Sequence, residues 1–208
     1  MLRILVINSS VSGAYSVSRG LVQAVVDRLA RVHPQISVIA RDVGVNPLPH
    51  LTPQSVAGIR DEPVTPDEHQ ARALSDELIG ELLTADVIVI GAPMYNFSIP
   101  STLKAWFDHV VRPGVTFTYE GGAPKGLIEG KRVILVESRG GRYADGPMQP
   151  FDFHDPYLQR LLAFIGLSDL EVIRAEGVAL GVEPRAQAIA EARRAIDALT
   201  GDPTASAA

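Results

Sequence analysis

Three stretches of this chain are unbroken aliphatic runs that stop abruptly at a small, polar loop, and that grammar restricts the fold more than any other feature. They are Ile4-Leu5-Val6-Ile7 ahead of Asn8 to Ser18, Val87-Ile88-Val89-Ile90 ahead of Gly91 to Phe97, and Val133-Ile134-Leu135-Val136 ahead of Glu137 to Gly141. A short aliphatic run with no polar alternation suits a strand buried on both faces, and such strands belong to parallel sheets covered by helices. In a sheet of that kind the loops after the strands' carboxyl ends open onto one crevice, where ligands bind. The three loops are therefore read together.

The remaining segments supply the covering helices. Ser18 reads as an N-cap for a helix over 20–30, ended by Pro34, and 36–40 reads as a second strand followed by a loop from Arg41 to His50. Three prolines between 51 and 66 suggest a short helix and a surface loop. Thr65-Pro66-Asp67-Glu68 carries an N-cap, a first-turn proline and two acids against the helix dipole, which predicts a helix to about Thr84 with Leu74, Leu78, Leu82 and Leu83 inward. Helices are predicted over 100–111, 156–165 and from Pro184 through Leu199, with strands at 132–136 and 170–175 and a hairpin arm at 115–119. The order predicts a three-layer α/β sandwich: a five-stranded parallel sheet in the order 2-1-3-4-5, helices on both faces, right-handed crossovers, in short a flavodoxin-like fold. Residues 1–200 read as a single domain and 201–208 as a flexible tail.

Composition narrows the function. The chain has 208 residues and a formal net charge of −5 with no basic stripe, which argues against nucleic acid or an anionic membrane as partner. It has no cysteine, so disulfides, thiolate metal sites and a cysteine nucleophile are excluded, and any redox chemistry needs an organic cofactor. No segment reads as a signal peptide or a bilayer span, so the cytoplasm is the expected location. The five histidines lack metal-ligand spacing and read as surface or capping residues, with His154 a partial exception because it follows the third loop in the aromatic segment; no metal is expected.

Each loop has a chemical reading and a plainer one. Ser9, Ser10, Ser12, Ser16 and Ser18, with Gly13, lie between a strand and a helix N-terminus, where hydroxyls and free N–H groups attract a phosphate; the loop equally suits a capping turn. It lacks the patterns of nucleoside-triphosphate and dinucleotide sites. Pro93-Met94-Tyr95-Asn96-Phe97 brings a thioether, two aromatics and an amide to a strand end, which suits a flat heteroaromatic ligand or a plug of ordinary core. Ser138-Arg139-Gly140-Gly141 offers close backbone approach to a ligand, or a simple turn. Eleven of the twelve aromatic residues fall between 95 and 164, which favours a planar-substrate cavity at one edge of the sheet. Phe151 is a candidate for its wall, whereas Trp106 and Phe107 read as core or interface. Arg60, in the proline-rich insert, could reach an anionic substrate group or simply be solvated.

Ser10 with Ser16-Val17-Ser18, Pro93 to Lys104 and Ser138-Arg139-Gly140-Gly141 together make the chain similar to the FMN-dependent NADH-azoreductase and quinone reductase family, over nearly its whole length. The resemblance implies a homodimer with its active site at the interface. It implies that Ser10, Ser16, Val17 and Ser18 surround the FMN phosphate, that Pro93, Met94, Tyr95, Asn96 and Phe97 line the isoalloxazine ring, and that Ser138, Arg139, Gly140 and Gly141 meet its pyrimidine edge. Tyr119 and Phe164 match substrate-pocket positions, Phe164 across the dimer interface; the segment 142–155 corresponds least. The implied reaction is ping-pong hydride transfer from NADH through FMN N5 to a quinone or azo compound, with no side chain as catalyst. Two rivals share the scaffold: a one-electron flavodoxin-type carrier, and a non-enzymatic flavin-binding sensor or partner-binding protein.

Overall fold

The computed structural model describes residues 1–200; the expected tail, 201–208, lies outside the described residues. The central sheet has five parallel strands: β1 (Leu2–Asn8), β2 (Ile36–Asp42), β3 (Val87–Pro93), β6 (Arg132–Arg139) and β7 (Asp169–Glu176), in the order β2-β1-β3-β6-β7. Counted without the hairpin, that is the expected 2-1-3-4-5. The hairpin pairs β4 (Phe117–Glu120) with β5 (Ala123–Gly126) antiparallel, so the predicted arm at 115–119 starts two residues later. Among the described residues there are also six α-helices, α1 (Val17–Val32), α2 (Pro53–Arg60), α3 (Pro66–Thr84), α4 (Ser101–Val110), α5 (Asp155–Phe164) and α6 (Val182–Ala198), and two 3-10 helices, Gly13–Tyr15 and Gly146–Phe151.

The aliphatic runs divide by their period of two. Ile4, Val6, Val87, Val89, Ile134 and Val136 pack beneath α1 and α6, against Leu21, Val25, Leu29, Ala192 and Ile196. Leu5, Ile7, Ile88, Ile90, Val133 and Leu135 face the opposite layer, with Leu78, Leu82, Trp106, Phe107, Leu158 and Leu162. Trp106 and Phe107 are thus core, their rings 5.0 Å apart edge to face. α2 lies on α3, where Arg72 Nε donates to the Gly58 carbonyl at 2.8 Å.

The strands run further than their aliphatic stretches. β3 continues through Gly91-Ala92-Pro93 and β6 through Glu137-Ser138-Arg139, because the parallel ladder between them persists to Pro93 opposite Ser138. β2 includes Arg41 and Asp42, read above as loop; the ladder with Ile7 and Asn8 carries them, and ion pairs to Glu81 and Arg19 satisfy their side chains. The α1 cap is Ser16, whose side chain accepts from Arg19 N, and Ser18 is buried in the first turn. α6 begins ahead of Pro184, at Val182. Leu83 is 45% exposed, and the inward place expected for it goes to Ser75, whose hydroxyl donates to the His109 carbonyl at 2.7 Å.

Removing the Trp106 ring should leave a cavity that two packed layers cannot collapse. Trp106→Ala is expected to lower stability by roughly 3–5 kcal/mol, read as the shift in urea midpoint at constant slope.

Candidate functional site

The carboxyl ends of β1, β3 and β6 bring the three loops together. Ser9 leaves β1 and binds across to β3, its N–H and hydroxyl both donating to the Gly91 carbonyl, at 3.2 and 2.7 Å. The Tyr95 hydroxyl reaches back to the first loop, accepting from Val11 N at 3.2 Å and sharing hydrogen bonds with Ser10 Oγ (3.3 Å) and Ser12 Oγ (3.4 Å). Met94 N donates to the Ser138 carbonyl at 2.8 Å, which fastens the second loop to the third. Pro93 and Ser138 are buried at their strand ends, and Met94 is half-buried.

The first loop ends at the α1 N-terminus. Ser16 Oγ lies 3.2 Å from Ser18 Oγ, and Val17 and Ser18 supply the first-turn N–H groups. That turn holds no acidic side chain, so the positive helix end is left for another anion. Arg19, which the sequence reading passed over, braces the loop: its guanidinium pairs with Asp42 and donates to the Ser10 carbonyl at 3.2 Å. Burial and the Arg19 charge act in opposite senses on Asp42, whose carboxyl ends below its usual range. Gly44 must be glycine here, because a Cβ would lie 2.2 Å from the Ser10 carbonyl oxygen.

In the second loop Tyr95 and Ser98 close a tight turn through mutual backbone bonds of 2.9 and 3.1 Å. Its central residues, Asn96 and Phe97, have φ of 48° and 71°. A bulky residue in the left-handed region costs of order 1 kcal/mol or more, and such strain gathers at functional positions. The turn presents both side chains outward: Phe97 is 39% exposed, with its ring 5.4 Å from Phe151 and 6.1 Å from Tyr143.

In the third loop the carbonyls of Arg139, Gly140 and Gly141 accept from Val178, Ala179 and Gly177 at 2.8–3.1 Å, so what the glycines still offer is their N–H groups. The fold does not demand glycine at 140. Its φ is not positive, and a Cβ would meet only the Ala179 Cβ, at 3.4 Å. A ligand pressed against the backbone supplies a reason for it.

Arg139 departs from its expected place. Its guanidinium is fully buried and bonded to Glu137 (2.8 Å), Asp152 (2.8 Å) and Glu176 (3.1 Å), so the crevice can use only its backbone. His154 and His109, read above as surface or capping residues, are also buried; His109 Nε2 lies 3.0 Å from the Pro49 carbonyl. His154 Nδ1 is 3.5 Å from Glu137 Oε1. Burial pushes Glu137 up to about 7 against the pull of Arg139, and burial, aided by Arg139, takes His154 down to about 4.

Not every expected site residue joins the crevice. Tyr119, Phe117 and Phe164 form their own aromatic group, with ring spacings of 5.7 and 4.5 Å, on the hairpin and α5. Arg60 is exposed at the end of α2. Among the described residues no hydrogen bond or ring contact ties these to the three loops, whereas Phe151 is joined through Phe97. A cavity of about 750 Å³, lined by Pro49, His50, Gln70, Leu74, Glu77 and His109, takes no lining residue from the three loops.

Comparison with known proteins places this geometry. A family model described as the flavodoxin-like fold matches residues 2–199. A Hyphomonas neptunium protein named FMN-dependent NADH:quinone oxidoreductase is 48% identical over 193 residues, 93% of each chain. An Escherichia coli protein of the same name is 45% identical over 201 residues, covering 96% of this chain and 98% of its own. The crystal structure of an azoreductase from Bacillus anthracis superposes with a TM-score of 0.85 at 27% identity, over 96% of this chain and all of that one.

The buried pair sets opposed pH trends. Glu137, raised from 4.5 to about 7, contributes stability that is full below about 4.5 and lost as pH rises through about 7. His154, lowered from 6.5 to about 4, contributes stability present above about 6.5 and lost as pH falls through about 4. Glu137→Gln should therefore be most destabilising at pH 5, with its urea midpoint approaching that of wild type as pH rises past 7. A gap constant over that range refutes the titration.

Proposed function

The chain belongs to the flavodoxin-like fold family, and from that premise we propose that it is an FMN-dependent NADH:quinone oxidoreductase that also reduces azo compounds. The observation that carries this reading is the junction of the three loops: one tyrosine hydroxyl and one backbone bond gather a hydroxyl-lined helix N-terminus, an aromatic turn and a glycine pair at a single sheet edge. These are the parts a flavin mononucleotide needs: a seat for a phosphate dianion, a wall for a flat ring and backbone donors for the ring's polar edge.

FMN, when bound, would supply the two-electron redox chemistry between NADH and the acceptor. The chain binds and orients. Ser10, Ser16, Val17 and Ser18 would hold the phosphate; Pro93, Met94, Tyr95, Asn96 and Phe97 would line the ring. Gly140 and Gly141, carried between Ser138 and Arg139 and the following loop, would offer N–H groups to its pyrimidine edge, where fixed donors would stabilise developing negative charge. No side chain is assigned as acid or base, since water at an open crevice can supply the product's protons.

The rest of the pocket belongs to a homodimer in this reading. Tyr119 and Phe164 stand apart from the crevice on one chain; Tyr119 is 64% exposed and Phe164 half-buried, and the aromatic surface they leave open suits the roof of a partner's site. Arg60 is the candidate for a charged group on the substrate, and Phe151 extends the ring wall. NADH as donor fits a cytoplasmic location, and among the described residues no helix is long and apolar enough to cross a membrane.

The decisive experiment is anaerobic. NADH should bleach the yellow protein, a quinone should restore the colour, and steady-state rates at varied NADH and quinone should give parallel lines. Intersecting lines mean both substrates bind at once; a protein that holds flavin and ignores NADH is a carrier or sensor. Two substitutions locate the phosphate. Ser18→Ala should weaken FMN retention about tenfold, near the worth of one charge-assisted hydrogen bond of about 1.5 kcal/mol, with little change in apoprotein stability. Ser16→Ala should in addition cost about 1 kcal/mol of folding stability through the lost cap. Unchanged retention in both, measured by fluorescence titration, puts the phosphate elsewhere.

A further inference from the structure

The segment between β6 and α5 is the least regular part of the chain, yet its anchor is one of the most deeply buried charges. Arg139 meets carboxylates from three segments: Glu137 on its own strand, Asp152 before α5 and Glu176 at the end of β7. Arg174 closes the group, donating to Glu137 at 2.8 Å and to Asp155 at 2.6 Å, so two guanidiniums face four acids. His154 is a further titratable neighbour. Glu176 also accepts from Tyr143 N and Ala144 N, at 2.9 and 3.1 Å, and so holds the start of the segment.

Asp152 divides its two oxygens. Oδ2 takes the Arg139 guanidinium, and Oδ1 accepts the N–H groups of His154 and Asp155 at 3.0 and 3.1 Å, the entry to α5. Its neighbours on both sides reach the strained aromatic turn. The Phe151 ring lies 5.4 Å from that of Phe97 at 38°. Phe153 N donates to the Phe97 carbonyl at 3.1 Å, and the Phe153 carbonyl accepts from Ser98 Oγ at 3.2 Å. Phe97 and Phe151 are 39% and 45% exposed, and besides these links the Phe97 ring meets Tyr143 edge to face at 6.1 Å.

We propose that Arg139 and Asp152 are positioning residues that set the Phe97–Phe151 ring pair and, through it, select which quinones the crevice accepts. The proposal rests on the quinone-reductase reading. Arg139 is fully buried and Asp152 nearly so, so the charge is held in a fixed geometry, and neutralising Asp152 leaves Arg139 with Glu137 and Glu176 alone. The pair therefore fixes the chain on each side of Asp152, and with it the spacing of two rings that touch planar acceptors. A two-ring acceptor covers more of such a wall than a one-ring acceptor and depends more on its alignment.

The test is a double-mutant cycle of Asp152→Asn and Phe151→Ala in the flavin-loaded protein. The amide oxygen that Asp152→Asn introduces can still accept the two helix N–H groups, so α5 keeps its entry while Arg139 loses a charged partner. The measured quantity is the ratio of kcat/KM for a naphthoquinone over a benzoquinone. Hydrogen exchange of the 151–155 amides in the apoprotein reads the clamp without flavin. Asp152→Asn should speed that exchange at least tenfold and lower the ratio at least threefold, Phe151→Ala should lower it similarly, and the double variant should lower it no further. Unchanged exchange, an unchanged ratio, or effects that multiply in the double variant overturn the proposal. A wild-type protein that takes up no FMN defeats the quinone-reductase reading, and acceptor selection falls with it, while the exchange result still decides whether the clamp exists.

Discussion

Everything in this molecule depends on a sheet that must bury both of its faces. Aliphatic residues alternate between two helical layers along β1, β3 and β6, so no register slip of one residue is tolerable: it would exchange the two layers' complementary surfaces. With the register held, the strands end at a common level, and the polar loops after them have no course except across the same edge. The crevice is a consequence of packing before it is a binding site.

What turns the edge into a site is a small number of cross-loop bonds. The Tyr95 hydroxyl joins the aromatic turn to the serine loop, and Met94 N joins it to β6. Arg19 and Asp42 hold the serine loop from the β2 side. These bonds stabilise a turn in which Asn96 and Phe97 occupy backbone conformations they would not choose alone. Beneath it, the carboxylates around Arg139 carry the desolvation cost of a buried charge group, which is a poor source of stability and a good source of definite geometry.

Much of this was legible from residue order. The buried runs, the cap at Thr65, the loops at strand ends and the sheet order all follow from local chemistry, and the serine, aromatic and glycine loops pointed to a shared crevice. The cap of α1 was misassigned because two serines of equal local merit stand two residues apart, and only the strand exit decides which begins the helix. Arg139 was read as a ligand contact because a loop arginine resembles any other until its carboxylates are found, and those lie 2, 13 and 37 residues away. The burial of His154 against Glu137 was not legible for the same reason: nothing adjacent in the chain signals Glu137.

The division follows the range of the forces involved. Periodicity, turn chemistry and capping act between neighbours, so the sequence by itself determined the layers, the strand order and which loops are rich in donors and rings. The pairing of buried charges, the hydroxyl that laces two loops and the approach of Phe151 to Phe97 act between segments distant in the chain. Only the folded sheet brings them within reach, and it alone decided which polar side chains face the crevice and which are spent beneath it.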